Sequence, residues 1–311
     1  MLKNILKLSF TNFKEVWKLL LYRVIYTLFV LGLTTVASLN IIKTLIKESF
    51  FVNLQTNLKS LAFNLDFSKI FGVVHTTFQE LVNIVSAHGF IAQTILCVVF
   101  IVLLCSFFEV HGKAALHTNI NGYMNSMVQY GFSNSYVASF GRSCLHWLVY
   151  VFTELPVVIG IYVGAYFFAS GLNGVLGVWS VVLAVFLIIV CLSFKNMIFG
   201  GWIPALVINE KKVFMSLASG TKAFFKRFFK IFACYLLFTA LAVMVVMFSI
   251  TFTVGIGLVF VLPFWTLEEV IVGQVAYYEQ YGMRYYVDSN EVITPKRLEQ
   301  QDKFSKVKDI I

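Results

Sequence analysis

Charge is what this chain has least of. Asp, Glu, Lys and Arg make up 13% of its 311 residues, while hydrophobic residues make up 59%. Soluble globular domains carry about 25% charged residues. So few charges cannot coat a water-soluble globule of this length, and much of the surface must face lipid. Paired cysteines are missing too. Cys97, Cys105, Cys144, Cys191 and Cys234 lie in or beside apolar stretches with no C-x-x-C spacing, which argues against a disulfide framework or a structural zinc site. There is no G-x-S-x-G, Walker A, G-x-G-x-x-G or kinase-type set. The E-x-H-x5-H arrangement of Glu109, His111 and His117 is not a metal-ligand spacing of the H-E-x-x-H kind, and His75, His88 and His146 stand alone. No enzyme, cofactor or metal is expected.

What is present is an order of apolar runs and cationic elbows. The stretch Asn196–Phe232 breaks at Gly200-Gly201 and Pro204, turns at Glu210-Lys211-Lys212, and continues into a basic, Phe-rich segment. That order reads as a chain leaving the bilayer, lying along its face and going back in. The formal net charge of +9 is therefore not a nucleic-acid signal, because the same phenylalanines belong in the acyl boundary.

Residues 1–18 read as one interfacial amphipathic helix, with Lys3, Lys7, Lys14 and Lys18 on one stripe and Leu2, Ile5, Leu6, Phe13, Val16 and Trp17 on the other. The following apolar run is of spanning length, which rules against a cleaved signal peptide. Spans are expected at about 19–42, 89–108, 144–168, 175–198, 231–250 and 255–278. Residues 43–88 form the longest loop, with an amphipathic helix over 67–85. Residues 109–143 read as a polar loop rich in Asn and Ser. The fourth span either ends at Lys195 with an interfacial extension or starts later, leaving Lys195 to snorkel or face protein.

Lys and Arg number five through Arg23, two in 109–143, seven in 195–230 and six from Arg284, against none in the two short opposite loops and four in 43–88. The positive-inside rule then puts both termini in the cytoplasm. The expected fold is an all-α polytopic membrane helix bundle, with a membrane domain over 1–280 and a cytoplasmic tail over 281–311. Phe13-Lys14-Glu15-Val16-Trp17-Lys18-Leu19 echoes Phe225-Lys226-Arg227-Phe228-Phe229-Lys230-Ile231. Chance, or shared boundary physics, accounts for so short a match as readily as duplication does.

Glu154 is the residue most open to a functional reading. A carboxylate inside a span costs about 2.5–3.5 kcal/mol on insertion scales, so it must be protonated, paired or wet. Pro156 cannot donate a backbone hydrogen bond and opens the helix beside it. One reading is a proton or cation site in a transporter. The favoured one is a structural carboxylate paired with Arg142 or Arg23. Glu268 and Glu269 are placed to meet Lys195 or Lys211. Lys222, Lys226, Arg227 and Lys230, set among phenylalanines, are candidates for contact with anionic lipid at about 1 kcal/mol per cation.

Trp202-Ile203-Pro204-Ala205-Leu206-Val207-Ile208-Asn209-Glu210-Lys211, followed by Ser216, Leu217, Ser219 and Phe225-Lys226-Arg227-Phe228-Phe229-Lys230, resembles a loop of certain bacterial membrane proteins. These are the membrane domains that precede some glycerophosphodiester phosphodiesterases, together with the YciC-like integral membrane proteins. Pro263 through Tyr277-Tyr278 is similar to that group's ending. The likeness covers the last third of the chain and implies a helical membrane domain. It does not carry over the phosphodiesterase activity, since no such domain is present. The expected function is a non-enzymatic scaffold, accessory or lipid-contacting component of a cell membrane, with lipids and other membrane proteins as partners. A small-molecule or ion transporter using Glu154 is the alternative. Residue usage rich in Lys, Phe and Asn is compatible with a low-GC bacterium.

Overall fold

A computed structural model describes residues 1–64, 70–208, 212–253 and 255–295. It is almost entirely helical: α1 Leu2–Thr11, α2 Lys14–Ala37, α3 Leu39–Lys47, α4 Phe50–Asn64, α5 Ile70–Ala87, α6 Ile91–Ser126, α7 Phe132–Phe152, α8 Glu154–Leu176, α9 Val178–Phe199, α10 Trp202–Ile208, α11 Val213–Phe225, α12 Phe228–Thr253 and α13 Leu258–Tyr281, then a short antiparallel hairpin of β1 Tyr285–Tyr286 and β2 Val292–Ile293. Among the described residues, six helical stretches are long and apolar enough to cross a membrane: Lys14–Ala37, Ile91–Ser126, Phe132–Leu176, Val178–Ile208, Phe228–Ile250 and Leu258–Tyr281. The protein is a multi-pass integral membrane protein of the all-α class.

Several spans differ from the sequence expectation. The amphipathic helix stops at Asn12, whose side-chain amide donates to the Leu8 carbonyl at 3.0 Å. Lys14 and Lys18 therefore open the first span rather than belonging to α1. Residues 43–88 are largely helical, as α3, α4 and α5, with residues 65–69 outside those described. The largest difference is α6, which runs for 36 residues straight through the expected polar loop. At 1.5 Å per residue it is about 54 Å long, well beyond a hydrocarbon layer of about 30 Å. The third span likewise lengthens into α7 and α8, separated only by Thr153. Pro156 sits in the first turn of α8, where its missing N–H costs nothing. The break at Gly200-Gly201 and the short helices α10 and α11 follow the expected elbow, although Glu210 and Lys211 lie outside the described residues. So do 296–311 of the tail. Residues 285–295 do not trail away: Tyr285 and Val287 are fully buried.

The chain divides into two compact units. The first holds Met1–Arg23, Phe107–Ile159 and Ile189–Ile311, and its core gathers Ile5 and Leu8 of α1, Leu116, Ile120 and Met124 of α6, Phe224, Tyr235, and much of α13. Backbones meet closely there. A Cβ added to Gly201 would stand 2.6 Å from the Gly220 carbonyl oxygen of α11, so glycine at both positions is what lets the elbow fold against its neighbour. The second unit, Val24–Ser106 with Gly160–Ile188, has two small cores, one of Ile41, Leu45, Phe50 and Val85 and one of Ala165, Ala169 and Ala184.

Candidate functional site

Within the first unit the charged residues turn inward. Glu109 and Lys113 stand one helical turn apart on α6. Arg23 of α2 holds Glu109 through Nη2, at 2.7 Å from Oε1 and 2.8 Å from Oε2, and also reaches the Thr266 hydroxyl at 2.7 Å. Lys113 donates to Glu269 of α13 at 2.9 Å and lies 3.9 Å from Glu109. The other oxygen of Glu269 accepts from the Asn196 amide at 2.9 Å. Beside Asn196 on α9, Lys195 reaches Glu154 at the start of α8, 3.5 Å away. Three cations thus face three carboxylates across five helices.

Polar groups continue along α6. The Gln274 amide donates to the His117 ring and to the His117 carbonyl at 3.1 and 3.0 Å. Tyr278 donates to Asn121 at 2.7 Å. Asn119 donates at 2.7 Å to Glu15, which also takes Lys18 at 2.6 Å. On α7, Ser135, Ser139, Ser143 and His146 make a buried stripe at helical spacing. Between Lys113, His117, Glu154, Lys195, Tyr235 and Glu269 is a void of about 50 Å³, room for a few water molecules but far below the volume of a small-molecule pocket.

The three residues expected to form one polar site are distributed. Glu154 has Lys195 as its partner in place of Arg142 or Arg23. Arg23 is taken by Glu109. Arg142 lines a separate cavity of about 390 Å³ with Asn121, Asn125 and Asn134. Glu269 meets Lys113 and Asn196, a pairing that the sequence reading missed because it assigned Lys113 to a loop. Its i,i+4 relation to Glu109 was the available signal. Glu268 faces elsewhere, toward α1 and α12. The candidate lipid contacts Lys222, Lys226, Arg227 and Lys230 are all exposed, and of these Arg227 and Lys230 also reach Glu279 at 3.3 and 2.8 Å. Of their phenylalanines, Phe229 is 84% exposed and Phe224 is fully buried.

Among the described residues, no three His, Cys, Asp or Glu side chains are placed to hold a metal. No family model matches this chain, and no curated protein and no solved structure matches it.

Proposed function

We propose that the chain acts by contact and not by catalysis, as a scaffold, accessory or lipid-contacting component of a cell membrane, with both termini cytoplasmic. The observation that carries this reading is the closed ionic network: each carboxylate of Glu109, Glu154 and Glu269 has its own cation. Charges matched in this way hold helices in register, and these three carboxylates are already occupied by the chain's own cations. The exposed Lys222 and Lys226 beside exposed Phe225 and Phe229 suit a segment seated among anionic headgroups. The excess of Lys and Arg in the elbows and tail supports the orientation. The likeness of 202–230 to the YciC-like and phosphodiesterase-associated membrane domains belongs to the same proposal.

The alternative is a transporter or permease subunit using Glu154. Its support is the small void that touches Glu154, Lys195 and Glu269. Protein reconstituted in vesicles with an internal pH dye separates the two readings. With a structural Glu154, wild type and Glu154→Gln both leave an imposed pH gradient intact, and the variant only unfolds earlier. A wild-type proton flux that disappears in Glu154→Gln would overturn the contact reading.

A further inference from the structure

Glu268 stands apart from the network. It is 4% exposed and borders a pocket of about 430 Å³ walled by α1, the start of α2, α12 and α13, a volume within the range of ligand sites. The rest of the lining is aliphatic or aromatic, Leu6, Trp17, Leu241, Phe260 and Phe264 among it, with no Lys, Arg or His. Two polar atoms of this wall, Glu268 Oε2 and Trp265 Nε1, are buried without a hydrogen-bond partner among the described residues. A carboxylate oxygen left so is costly unless something pairs with it. Beside the carboxyl stands the uncharged Ser9 hydroxyl, which donates to the Ile5 carbonyl at 2.9 Å, and among the described residues no cation pairs with Glu268.

The side from which a ligand would arrive is also marked. Phe13, Trp17, Leu241, Val245 and Phe260 along the pocket are each about half exposed, and all but Phe13 belong to spanning helices. Hydrocarbon therefore reaches the opening. Aromatic faces beside a carboxylate favour an organic cation, through the ring quadrupole as well as the charge.

We propose that this pocket binds a membrane amphiphile carrying an ammonium group, its chain along α12 and α13 and its ammonium on Glu268. An oxygen on the same head group would accept the Trp265 N–H. The inference rests on the lipid-contacting part of the reading above and adds a ligand class to it.

The test uses the full chain in lipid bilayers and three photoactivatable probes with the same long alkyl chain, ending in an ammonium, a hydroxyl or a carboxylate. The ammonium probe should label peptides around Leu241–Val245 and Phe260–Phe264 at least about tenfold more than the other two, a difference of about 1.4 kcal/mol. Glu268→Gln should bring it down to the level of the alcohol. Because that variant also alters a buried group, Ala242→Trp serves as a second one: it fills the pocket, keeps Glu268, and should abolish labelling with the unfolding midpoint retained. Equal labelling by all three probes, preference for the alcohol, or unchanged labelling of Glu268→Gln would each overturn the proposal. Labelling confined to 222–230 would overturn the pocket and leave the lipid-contacting reading standing, whereas no labelling anywhere would sink both.

Discussion

The two halves of α6 are one continuous helix with opposite chemistry. From Ile91 to Ser106 it is mainly apolar, and Ile95, Leu96 and Val98 are more than half exposed. From Phe107 to Ser126 it carries Glu109, His111, Lys113, His117, Asn119 and Asn121, and most of its side chains are buried or nearly so. In a water-soluble helix the burial would be reversed. Where lipid is the solvent, an apolar side chain may face outward at no cost, while each polar group must find a partner inside. A related contrast separates the two units: the first is cemented by inward ion pairs, amides and close glycine contacts, whereas the described cores of the second are Ile41, Leu45, Phe50 and Val85 and a set of alanines, and its His88–Glu48 and Asn53–Glu80 contacts lie exposed.

The largest effect should come from breaking the network at its centre. Lys113→Ala leaves Glu269 with Asn196 as its hydrogen-bond donor and takes away the i+4 partner of Glu109. Removing one member of a buried pair costs about 3–5 kcal/mol, and partial exposure here favours the low end. Lys43, exposed in α3 of the second unit, is the matched control, and its alanine variant should stay within about 0.5 kcal/mol of wild type. Denaturant titration in mild detergent measures both. Equal losses would mean that the inward charges do not hold the first unit together.

A smaller effect, with a change of sign, is expected from glycine. Gly201→Ala drives a methyl group against the Gly220 carbonyl and should cost about 2 kcal/mol. Gly164, in the second unit's part of α8, has nothing within 4 Å of an added Cβ. Gly164→Ala should therefore be neutral or stabilise by up to about 0.5 kcal/mol through helix propensity. Thermal midpoints of the two variants should move in opposite directions. A common sign would remove the distinction between close-packed and lipid-facing backbone.

Much of this arrangement is legible in the sequence alone, and what is not legible there shares one cause. Apolar length located the last two helices, now Phe228–Thr253 and Leu258–Tyr281, and Gly200-Gly201 with Pro204 located the elbow. Segments rich in Asn, Ser, Lys and His were read as loops because hydropathy measures solvent preference, and an inward-facing polar side chain looks the same as one facing water. Hence 109–126 and 132–143 were lost as helices, although His117, Asn119 and Asn121 have partners in Gln274, Glu15 and Tyr278. Glu154 stands out in the sequence as a carboxylate within an apolar run, and it is buried, but its partner Lys195 is not legible there, because no spacing rule links α8 to α9 across 41 positions of sequence.

The smallest expected effect lies at the water-exposed edge of the first unit, where the 285–293 hairpin meets α1. Lys7 reaches both Asp288 and Glu291. Backbone N–H groups of Asn290 and Glu291, each 2.7 Å from its Oδ1, with Lys7 adding to them, hold the Asp288 carboxyl below its ordinary 3.8. The contribution of Asp288 is therefore complete above pH 3.8 and is lost as pH falls through the depressed value. The Glu291 carboxylate, hydrogen-bonded to Lys7, raises its ammonium above the ordinary 10.5, so that contribution is complete below pH 10.5 and fades as pH climbs through the raised value. Amide exchange of Val287, whose N–H donates to the Glu291 carbonyl at 2.9 Å, and of Tyr285 and Ile293, the hydrogen-bonded pair of the ladder, corrected for intrinsic rates, should show flat protection between these limits and a shallow loss at each end. Lys7→Gln should remove the alkaline loss and keep most of the acidic one, because the Asp288 turn is held chiefly by backbone. Exposed pairs contribute little, so this variant should disturb the fold far less than Lys113→Ala. If instead the two were equally damaging, burial would not be what distinguishes the inner ion pairs from the outer ones.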